Sequence, residues 1–224
     1  ITMGEGGFVA CSTKEEEVVV KSLREWGRGC YCAGEKASCL KNGMCGKRFS
    51  PWVESMPDTI FDHKYVYEEI GYNLKPMDLQ AAMGLVQLDK LEEIIELRKR
   101  NYKAYLKTFQ KYEEYFHLPK AQDKADPSWF AFPLTVKDNS PFDRKDFTLW
   151  MEENKIQTRN YFAGNVLLQP AYSHLYPNLD AKTKYPVATK VMKDTFFLGT
   201  SPVITEKQTK YVCSMVDKFF ETRN

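Results

Sequence analysis

The chain has 224 residues, enough for one large domain or two small ones, and its 43% hydrophobic and 28% charged residues are ordinary for a globular protein. Its net charge is only +2, with basic and acidic side chains interleaved, so we expect neither nucleic acid nor a membrane as a partner. No apolar run approaches the roughly 20 residues that a membrane span needs. The chain begins at Ile1, with no initiator Met and no leader, and we expect upstream sequence to be missing.

The N-terminal third predicts a strand, a helix and a long irregular segment. Residues 6–11 predict the strand, and Ser12 with Glu15 fits a capping box for a helix that ends near Gly27. Residues 28–72 show little periodicity and are rich in Gly, Cys, Pro and aromatic residues. A loop of this length in a compact protein is usually functional or stabilised by a bound group.

A long helix is predicted next. Pro76 suits a first helical turn, and apolar residues recur at three- and four-residue steps as far as Tyr112. A continuous helix of that length would span roughly 50 Å, which is typical of a helix that connects two domains.

The remaining sequence alternates between strands and helices and predicts a small α+β domain. The predicted elements are, in chain order, a strand at 128–136, a helix from Ser140, a strand at 156–159, a helix at 181–193, a strand at 195–198 and a helix capped by Thr205.

Four of the six cysteines fall within one short stretch, namely Cys30, Cys32, Cys39 and Cys45. Secreted disulfide scaffolds are rich in Cys throughout, so a local cluster favours a metal or cluster site in a reducing compartment, the cytoplasm. Thiolates bind both iron–sulfur clusters and zinc, and the irregular spacing differs from the paired Cys-x-x-Cys motifs of zinc knuckles. Spacing alone leaves an iron–sulfur cluster, a zinc site and unliganded cysteines open.

Two segments carry a resemblance to a known family: Thr2–Gly7 (TMGEGG) and Gly71–Leu88 (GYNLKPMDLQAAMGLVQL). Together they resemble the DegT/StrS family of sugar aminotransferases and dehydratases, which are pyridoxal-phosphate (PLP) proteins, and the resemblance covers essentially the whole chain. It implies an α/β protein of the PLP-dependent transferase fold type I, of which this chain is the C-terminal portion only.

The resemblance also implies a domain organisation. Residues 1–75 would end the large cofactor-binding domain and would include a Cys-rich cluster loop at about 28–50. Residues 76–112 would form the long connecting helix, and residues 113–224 the small C-terminal α+β domain.

Further motifs are similar to one branch of the family, the CDP-4-keto-6-deoxyglucose 3-dehydratases of 3,6-dideoxyhexose (O-antigen) biosynthesis. These motifs are Glu25–Arg28 (EWGR), the Cys-x-Cys pair, Cys45–Phe49 (CGKRF) and Gln157–Asn165 (QTRNYFAGN). The branch implies pyridoxamine or pyridoxal 5′-phosphate and a [2Fe–2S] cluster held by four cysteines. Three of the four match Cys30, Cys32 and Cys45, and the fourth would precede Ile1.

Other site residues follow from the same resemblance. Cys39 is either a substitute ligand or a bystander, because the gap between Cys32 and Cys45 is longer than in the branch. Asn73 aligns with a residue that reaches a cofactor phosphate across a dimer in relatives, although it also suits a turn. Arg159 is a candidate for binding the substrate diphosphate, with a surface ion pair as the alternative. We expect no catalytic residue in this chain, because the family's catalytic Lys or His lies just upstream of Ile1; the chain alone should be inactive.

The resemblance implies dehydration at C3 of a CDP-linked 4-keto-6-deoxyhexose by a homodimer, with a flavin iron–sulfur reductase as electron donor. Two alternatives stay open: a PLP-dependent nucleotide-sugar aminotransferase of the same family, and a non-catalytic zinc-binding interaction module. His63 and His117 belong to no motif, and we expect them to be surface or packing residues. The aromatic residues at positions 52, 61, 65 and 67 could shield the cluster, but we expect them to fill the core.

Overall fold

The computed structural model describes residues 1–30, 40–41, 44–45 and 48–223. The chain divides into two compact units, Ile1–Leu88 and Asp89–Asn224, which we call unit 1 and unit 2. Cys32 and Cys39 lie outside the described residues.

The secondary structure of the described residues is mixed. The α-helices are α1 (Lys14–Arg24), α2 (Asp78–Leu88), α3 (Leu91–Phe109), α4 (Arg144–Glu153), α5 (Pro170–Ser173), α6 (Ala181–Lys184), α7 (Pro186–Asp194) and α8 (Glu206–Glu221). The strands are β1 (Leu40–Lys41), β2 (Met44–Cys45), β3 (Phe49–Ser50), β4 (Phe61–Asp62), β5 (Phe116–His117), β6 (Ala131–Val136), β7 (Thr158–Asn160) and β8 (Thr195–Gly199). Short 3-10 turns occur at His63–Tyr65, Gln110–Tyr112 and Val166–Leu168.

Helix α1 begins one residue later than the sequence predicted. Thr13 is the N-cap, because its side chain accepts a hydrogen bond from the Glu16 amide while the Glu16 carboxylate reaches back to the Thr13 backbone. The capping box of Ser12 and Glu15 was therefore wrong by one position. The strand expected at 6–11 is not formed in the described structure.

The single helix predicted over 76–112 was also wrong. Helix α2 ends at Leu88 and α3 starts at Leu91, with Lys90 at a non-helical φ of −99° and ψ of 2°. The apolar spacing continues across this break, so periodicity alone did not reveal it. The domain limits at 75 and 112 stay a prediction. The boundary between the two compact units falls after Leu88.

Backbone hydrogen bonds join the end of α1 to the chain that precedes α2. The amide of Trp26 donates to the Tyr72 carbonyl (2.9 Å), and the amide of Tyr72 donates to the Leu23 carbonyl (2.7 Å). Leu74 donates in the same way to Arg24 (3.0 Å). These bonds bring the EWGR motif against the start of the GYNLKP motif, although more than forty residues separate them in sequence.

Gly27 is the point of closest approach between these segments. Its carbonyl accepts hydrogen bonds from the amides of Glu68 (2.8 Å) and Glu69 (3.1 Å), and its φ is +79°. A Cβ at this position would lie 1.8 Å from the Glu69 carbonyl oxygen, and one at Gly71 would lie 2.2 Å from the Gly27 nitrogen. Glycine is therefore required at Gly27 by the positive φ and the close backbone contact, and at Gly71 by the close backbone contact alone.

Unit 2 contains a four-stranded antiparallel sheet with strand order β5-β6-β8-β7. The strands expected at 128–136, 156–159 and 195–198 are confirmed as β6, β7 and β8. The helix expected at 181–193 is divided into α6 and α7, because Pro186 cannot donate to the helical ladder. Thr205 caps α8 as predicted, and its side chain accepts from the Gln208 amide.

Helices α3, α4 and α8 pack with this sheet around an aromatic core. Phe147 on α4 is fully buried, and its ring lies 4.8 Å from the ring of Phe219, 5.3 Å from Phe116 and 5.4 Å from Phe196. Rings in edge-on and tilted contact add favourable quadrupole interactions to the burial of apolar area. One phenylalanine thus joins α4 to α8, β5 and β8.

The surface of α2 is mostly apolar and exposed. Leu79, Met83, Leu85 and Val86 each expose about half or more of their side chains. A helix that is apolar on all sides is normally covered. In the part of the chain that the structure describes, no helix has the length and apolar character needed to cross a bilayer.

We expect Phe147→Ala to lower the free energy of unfolding of unit 2 by about 3–5 kcal/mol, because it leaves a cavity among buried rings. Leu149→Ala on the same helix is the matched control. Leu149 is 48% exposed, and its replacement should change the free energy of unfolding by no more than about 0.5 kcal/mol. Urea unfolding of both variants of the protein, followed by tryptophan fluorescence, measures the difference. Equal losses in the two variants would contradict this description of the core.

We expect Gly27→Ala to destabilise unit 1 by at least about 2 kcal/mol, since a side chain here combines backbone strain with a clash against Glu69. Gly7→Ala is the control, because a Cβ at Gly7 meets nothing within 4 Å. Hydrogen exchange should show faster exchange of the amides of residues 68–74 in Gly27→Ala and no change in Gly7→Ala. Unchanged protection in both variants would show that the contact is unimportant.

Candidate functional site

Two of the predicted cluster ligands, Cys30 and Cys45, lie within the described residues. Both are free thiols and both are half-buried. Within residues 1–30, 40–41, 44–45 and 48–223, no group of three or more His, Cys, Asp or Glu side chains is arranged to hold a metal ion. Because Cys32 and Cys39 lie outside these ranges, the predicted three-cysteine ligand set is not tested.

A short two-stranded sheet follows Cys45. Strands β3 and β4 pair with Phe49 opposite Asp62, and the His63 amide donates to the Arg48 carbonyl (3.0 Å). The Arg48 amide in turn donates to the Cys45 carbonyl (3.3 Å). Two backbone bonds therefore connect the cysteine to the chain around His63.

An ion pair reinforces this connection. The Arg48 Nε and Nη2 atoms both lie 2.8 Å from Asp62 Oδ2. The hydrogen bond from this guanidinium holds the pKa of the Asp62 carboxyl below its ordinary value, and the same carboxylate raises the pKa of Arg48. Arg48 thus stays charged close to Cys45.

The Cys45 sulfur contacts a histidine. Cys45 Sγ lies 3.2 Å from His63 Nε2, and the His63 ring packs 5.6 Å from the ring of Trp52. The interpretation of His63 as a surface or packing residue was therefore incomplete, because it misses a contact with a predicted ligand. Cys45 and His63 are eighteen positions apart, and no sequence motif spans both residues.

Gly29, the residue before Cys30, is hydrogen bonded to the same stretch of chain. The Gly29 amide donates to the Val66 carbonyl (3.0 Å), and the Val66 amide donates to the His63 carbonyl (3.2 Å). The backbone beside Cys30 and the sulfur of Cys45 therefore contact the two ends of one four-residue turn, 63–66.

Aromatic residues surround this turn without filling a core. Trp52, Phe61, Tyr65 and Tyr67 are all more than a third exposed, so the expectation that they are core residues was wrong. Phe61, Tyr65 and Tyr67 line an open cavity of about 520 Å³. Their rings are held at a surface.

Arg28 places a second cation in this region. Its guanidinium carbon lies 4.9 Å from the centre of the Trp26 ring, 5.8 Å from Tyr65 and 6.0 Å from Tyr67. Such contacts stabilise a cation without neutralising it. The surroundings of Cys30 and Cys45 therefore include two guanidinium groups.

Asn73, the predicted cofactor-phosphate ligand, lies five residues before the start of α2. It forms an isolated antiparallel bridge with Glu25, and its side chain is exposed. Its role in binding the cofactor phosphate stays a prediction.

Arg159, the predicted diphosphate ligand, lies on the edge strand β7 in unit 2 and faces an open cavity of about 730 Å³. Lys155 also lines this cavity, and no carboxylate is among its described lining residues. Within the described part of the chain, no acidic side chain pairs with Arg159, so the alternative of a surface ion pair finds no partner there. The cavity is positively charged.

Aromatic side chains form much of the rest of the cavity. Phe130 and Phe162 are 64% and 69% exposed, and their rings lie 6.0 Å and 5.7 Å from the ring of Phe197. Phe162 also has a positive φ of 51°, which is uncommon for a bulky residue and is typical of functional sites. Sequence reasoning missed these rings, although Phe162 lies in the motif that contains Arg159.

The two remaining histidines, His117 and His174, are both exposed. His174 is exposed, with Nδ1 3.3 Å from the Pro170 carbonyl, and His117 is exposed on strand β5. His117 is thus a surface residue, as expected.

Comparison with known proteins places the chain in a family. A profile of the DegT/DnrJ/EryC1/StrS aminotransferase family matches residues 1–217. The chain is 41% identical to the lipopolysaccharide biosynthesis protein RfbH of Salmonella typhimurium, over 98% of this chain and 48% of that protein. It is 35% identical to the dTDP-4-dehydro-2,6-dideoxy-D-glucose 3-dehydratase of Saccharopolyspora spinosa, over 98% of this chain and 46% of that protein. The chain therefore spans about half the length of these relatives.

Solved structures agree on the fold. A DegT DnrJ EryC1 StrS aminotransferase from Brucella abortus matches with a TM-score of 0.61 and 18% identity, over 92% of this chain and 44% of that one. The GDP-4-keto-6-deoxymannose-3-dehydratase ColD with bound GDP-perosamine matches with a TM-score of 0.60 and 19% identity, over 91% of this chain and 48% of that one. At these identities the likeness concerns the fold alone, and it confirms the predicted α/β class of PLP-dependent transferases. The chain belongs to the DegT/DnrJ/EryC1/StrS aminotransferase family.

Proposed function

We propose that the full-length protein removes the 3-hydroxyl of a nucleotide-linked 4-keto-6-deoxyhexose, with pyridoxamine phosphate and a [2Fe–2S] cluster as cofactors. The observation that carries this proposal is that Gly29, the residue before Cys30, and the Cys45 sulfur contact opposite ends of the turn 63–66. The names of relatives support it: one is a lipopolysaccharide biosynthesis protein and another a sugar 3-dehydratase.

The chemistry of the described residues fits a cluster. Cys30 and Cys45 supply soft sulfur donors that no disulfide occupies. Arg48 and Arg28 would offset the negative charge that thiolate ligands bring to a cluster, and would favour the thiolate form. Cys32, and a fourth Cys upstream of Ile1, would complete the ligand set. A cluster supplies one-electron transfer, and pyridoxamine phosphate supplies an amine for the keto group together with a ring that delocalises electrons.

Arg159 and the cavity beside it would hold the nucleotide part of the substrate. A guanidinium without an acidic partner can donate paired hydrogen bonds to a diphosphate, and Lys155 adds a second positive charge. The exposed rings of Phe130 and Phe162 offer apolar surface to a base or sugar. We propose a CDP-linked sugar as the ligand.

The partners follow from the same proposal. A homodimer would give Asn73 access to the cofactor phosphate of the other subunit, and its position five residues before the exposed apolar helix α2 suits burial in such an assembly. Electrons would come from a flavin iron–sulfur reductase. The proposed setting is the cytoplasmic synthesis of 3,6-dideoxyhexoses.

Amino transfer is the second candidate, because aminotransferases belong to the same family; the GDP-perosamine synthase of Vibrio cholerae is 22% identical over 98% of this chain. One experiment separates the two. Anaerobically purified full-length protein is expected to be brown, to contain iron and sulfide, and to dehydrate CDP-4-keto-6-deoxyglucose. Colourless protein that transfers an amino group from glutamate, or that holds only zinc, would contradict the proposal.

We expect Cys45→Ser in the full-length protein to lose visible absorption and dehydratase activity together, because a hydroxyl is a poor substitute for a soft thiolate ligand. Circular dichroism should change little. Cys11→Ser, a half-buried cysteine outside the Cys-rich loop, is the control and should keep both properties. Activity that persists in Cys45→Ser would remove Cys45 from the ligand set.

We expect Arg159→Met to raise the KM for the nucleotide sugar about 10- to 100-fold, because each hydrogen bond to a charged group contributes about 1.5–3 kcal/mol. Lys207→Met removes an exposed cation that does not line the cavity, and serves as the control. Steady-state kinetics on both variants decides the point. A KM that is unchanged in Arg159→Met, or raised equally in the two, would show that Arg159 does not bind the substrate.

A further inference from the structure

We propose that His63 is a positioning residue for the cluster: its Nε2–H donates a hydrogen bond to the Cys45 sulfur and thereby raises the reduction potential of the bound cluster. This inference rests on the proposed function, because it takes Cys45 as a cluster ligand. The contact that carries it is the 3.2 Å separation between Cys45 Sγ and His63 Nε2.

The backbone fixes both partners of this contact. The His63 amide donates to the Arg48 carbonyl (3.0 Å), and the Arg48 amide donates to the Cys45 carbonyl (3.3 Å). A third bond, from the Val66 amide to the His63 carbonyl (3.2 Å), closes the turn on the other side of the histidine. These backbone hydrogen bonds connect the chain at Cys45 to the chain at His63 without involving the contact between the two side chains.

The His63 ring is also held from the side. The ring of Trp52 packs against it at 5.6 Å, with an angle of 40° between the planes. The neighbouring carboxylate of Asp62 is already used, because it accepts hydrogen bonds from the Arg48 side chain (2.8 Å) and from the Lys64 amide (3.0 Å). Nε2 is consequently left directed at the sulfur.

The direction of the hydrogen bond follows from the chemistry of the sulfur. A thiolate that binds iron has no proton to give, so it can only accept, and the ring must present Nε2–H. Hydrogen bonds from outer groups to ligand sulfurs are among the factors that set the potential of a cluster. A donor here withdraws charge from the sulfur and stabilises the reduced cluster, which carries the additional electron.

The two predicted ligands that the structure describes, Cys30 and Cys45, differ in their hydrogen-bond contacts. Among the described residues, no side chain is hydrogen bonded to Cys30, whereas the Cys45 sulfur contacts His63 Nε2. The cluster would thus receive its imidazole hydrogen bond at Cys45, next to the exposed rings of Trp52 and Phe61.

The test is redox titration of the anaerobic full-length protein, with the cluster followed by its visible absorption and its electron paramagnetic resonance signal. His63→Phe keeps a ring against Trp52 but removes the donor. We expect the ratio of reduced to oxidised cluster at a fixed potential to fall about tenfold, a downward shift of about 59 mV for a one-electron couple. His63→Gln keeps an N–H donor and should recover at least half of this shift.

His174→Phe is the control, because His174 is exposed and contacts only a backbone carbonyl. The cluster in this variant should have the same reduction potential as in the unmodified protein. An unchanged potential in His63→Phe, or an equal shift in the Phe and Gln variants, would overturn the role of His63 and leave the proposed function intact. If His63→Phe does not assemble a cluster, the reduction potential of His63→Gln tests the donor role instead. A tenfold fall in the ratio of reduced to oxidised cluster in His63→Gln would overturn that role. Unmodified protein without any cluster would instead overturn the proposed function and this inference together.

Discussion

The organisation of unit 1 depends on the backbone hydrogen bonds that join residues 23–29 to residues 66–74. Gly27 allows these bonds because its carbonyl accepts hydrogen bonds from two amides. A side chain at this position would clash with the Glu69 backbone. Three features accompany this contact: Gly29, next to Cys30, is hydrogen bonded to Val66, Arg28 reaches the aromatic rings, and Asn73 pairs with Glu25. This contact therefore positions Arg28, Asn73 and the chain beside Cys30.

The second part of the candidate site depends on a different interaction. Buried phenylalanine rings centred on Phe147 connect the helices of unit 2 to its sheet, and β7 is held at the sheet edge by β8. An edge strand presents its side chains and one row of backbone groups to an open surface. Arg159 is displayed in this way beside a cavity that contains exposed rings and cations but, in its described lining, no carboxylate.

The two regions differ in chemical character. Unit 1 combines soft thiols with the guanidinium groups of Arg28 and Arg48, an environment that suits an anionic redox centre. Unit 2 offers a cationic and aromatic cavity, which suits a nucleotide diphosphate. The proposed dehydration would use both regions, because it requires a one-electron carrier and a surface that binds a nucleotide.

The sequence by itself determined the family, the α/β class and most strands and helices of unit 2, because these depend on local motifs and on the period of apolar residues. It also identified Cys30, Cys45 and Arg159 as candidates. Tertiary structure alone decided the break between α2 and α3, the surface location of the aromatic residues from Trp52 to Tyr67, and the contact between His63 and Cys45. The reason is physical: a helix break of two residues preserves the apolar period, and a contact between residues eighteen positions apart depends on how the backbone pairs, which no local pattern records.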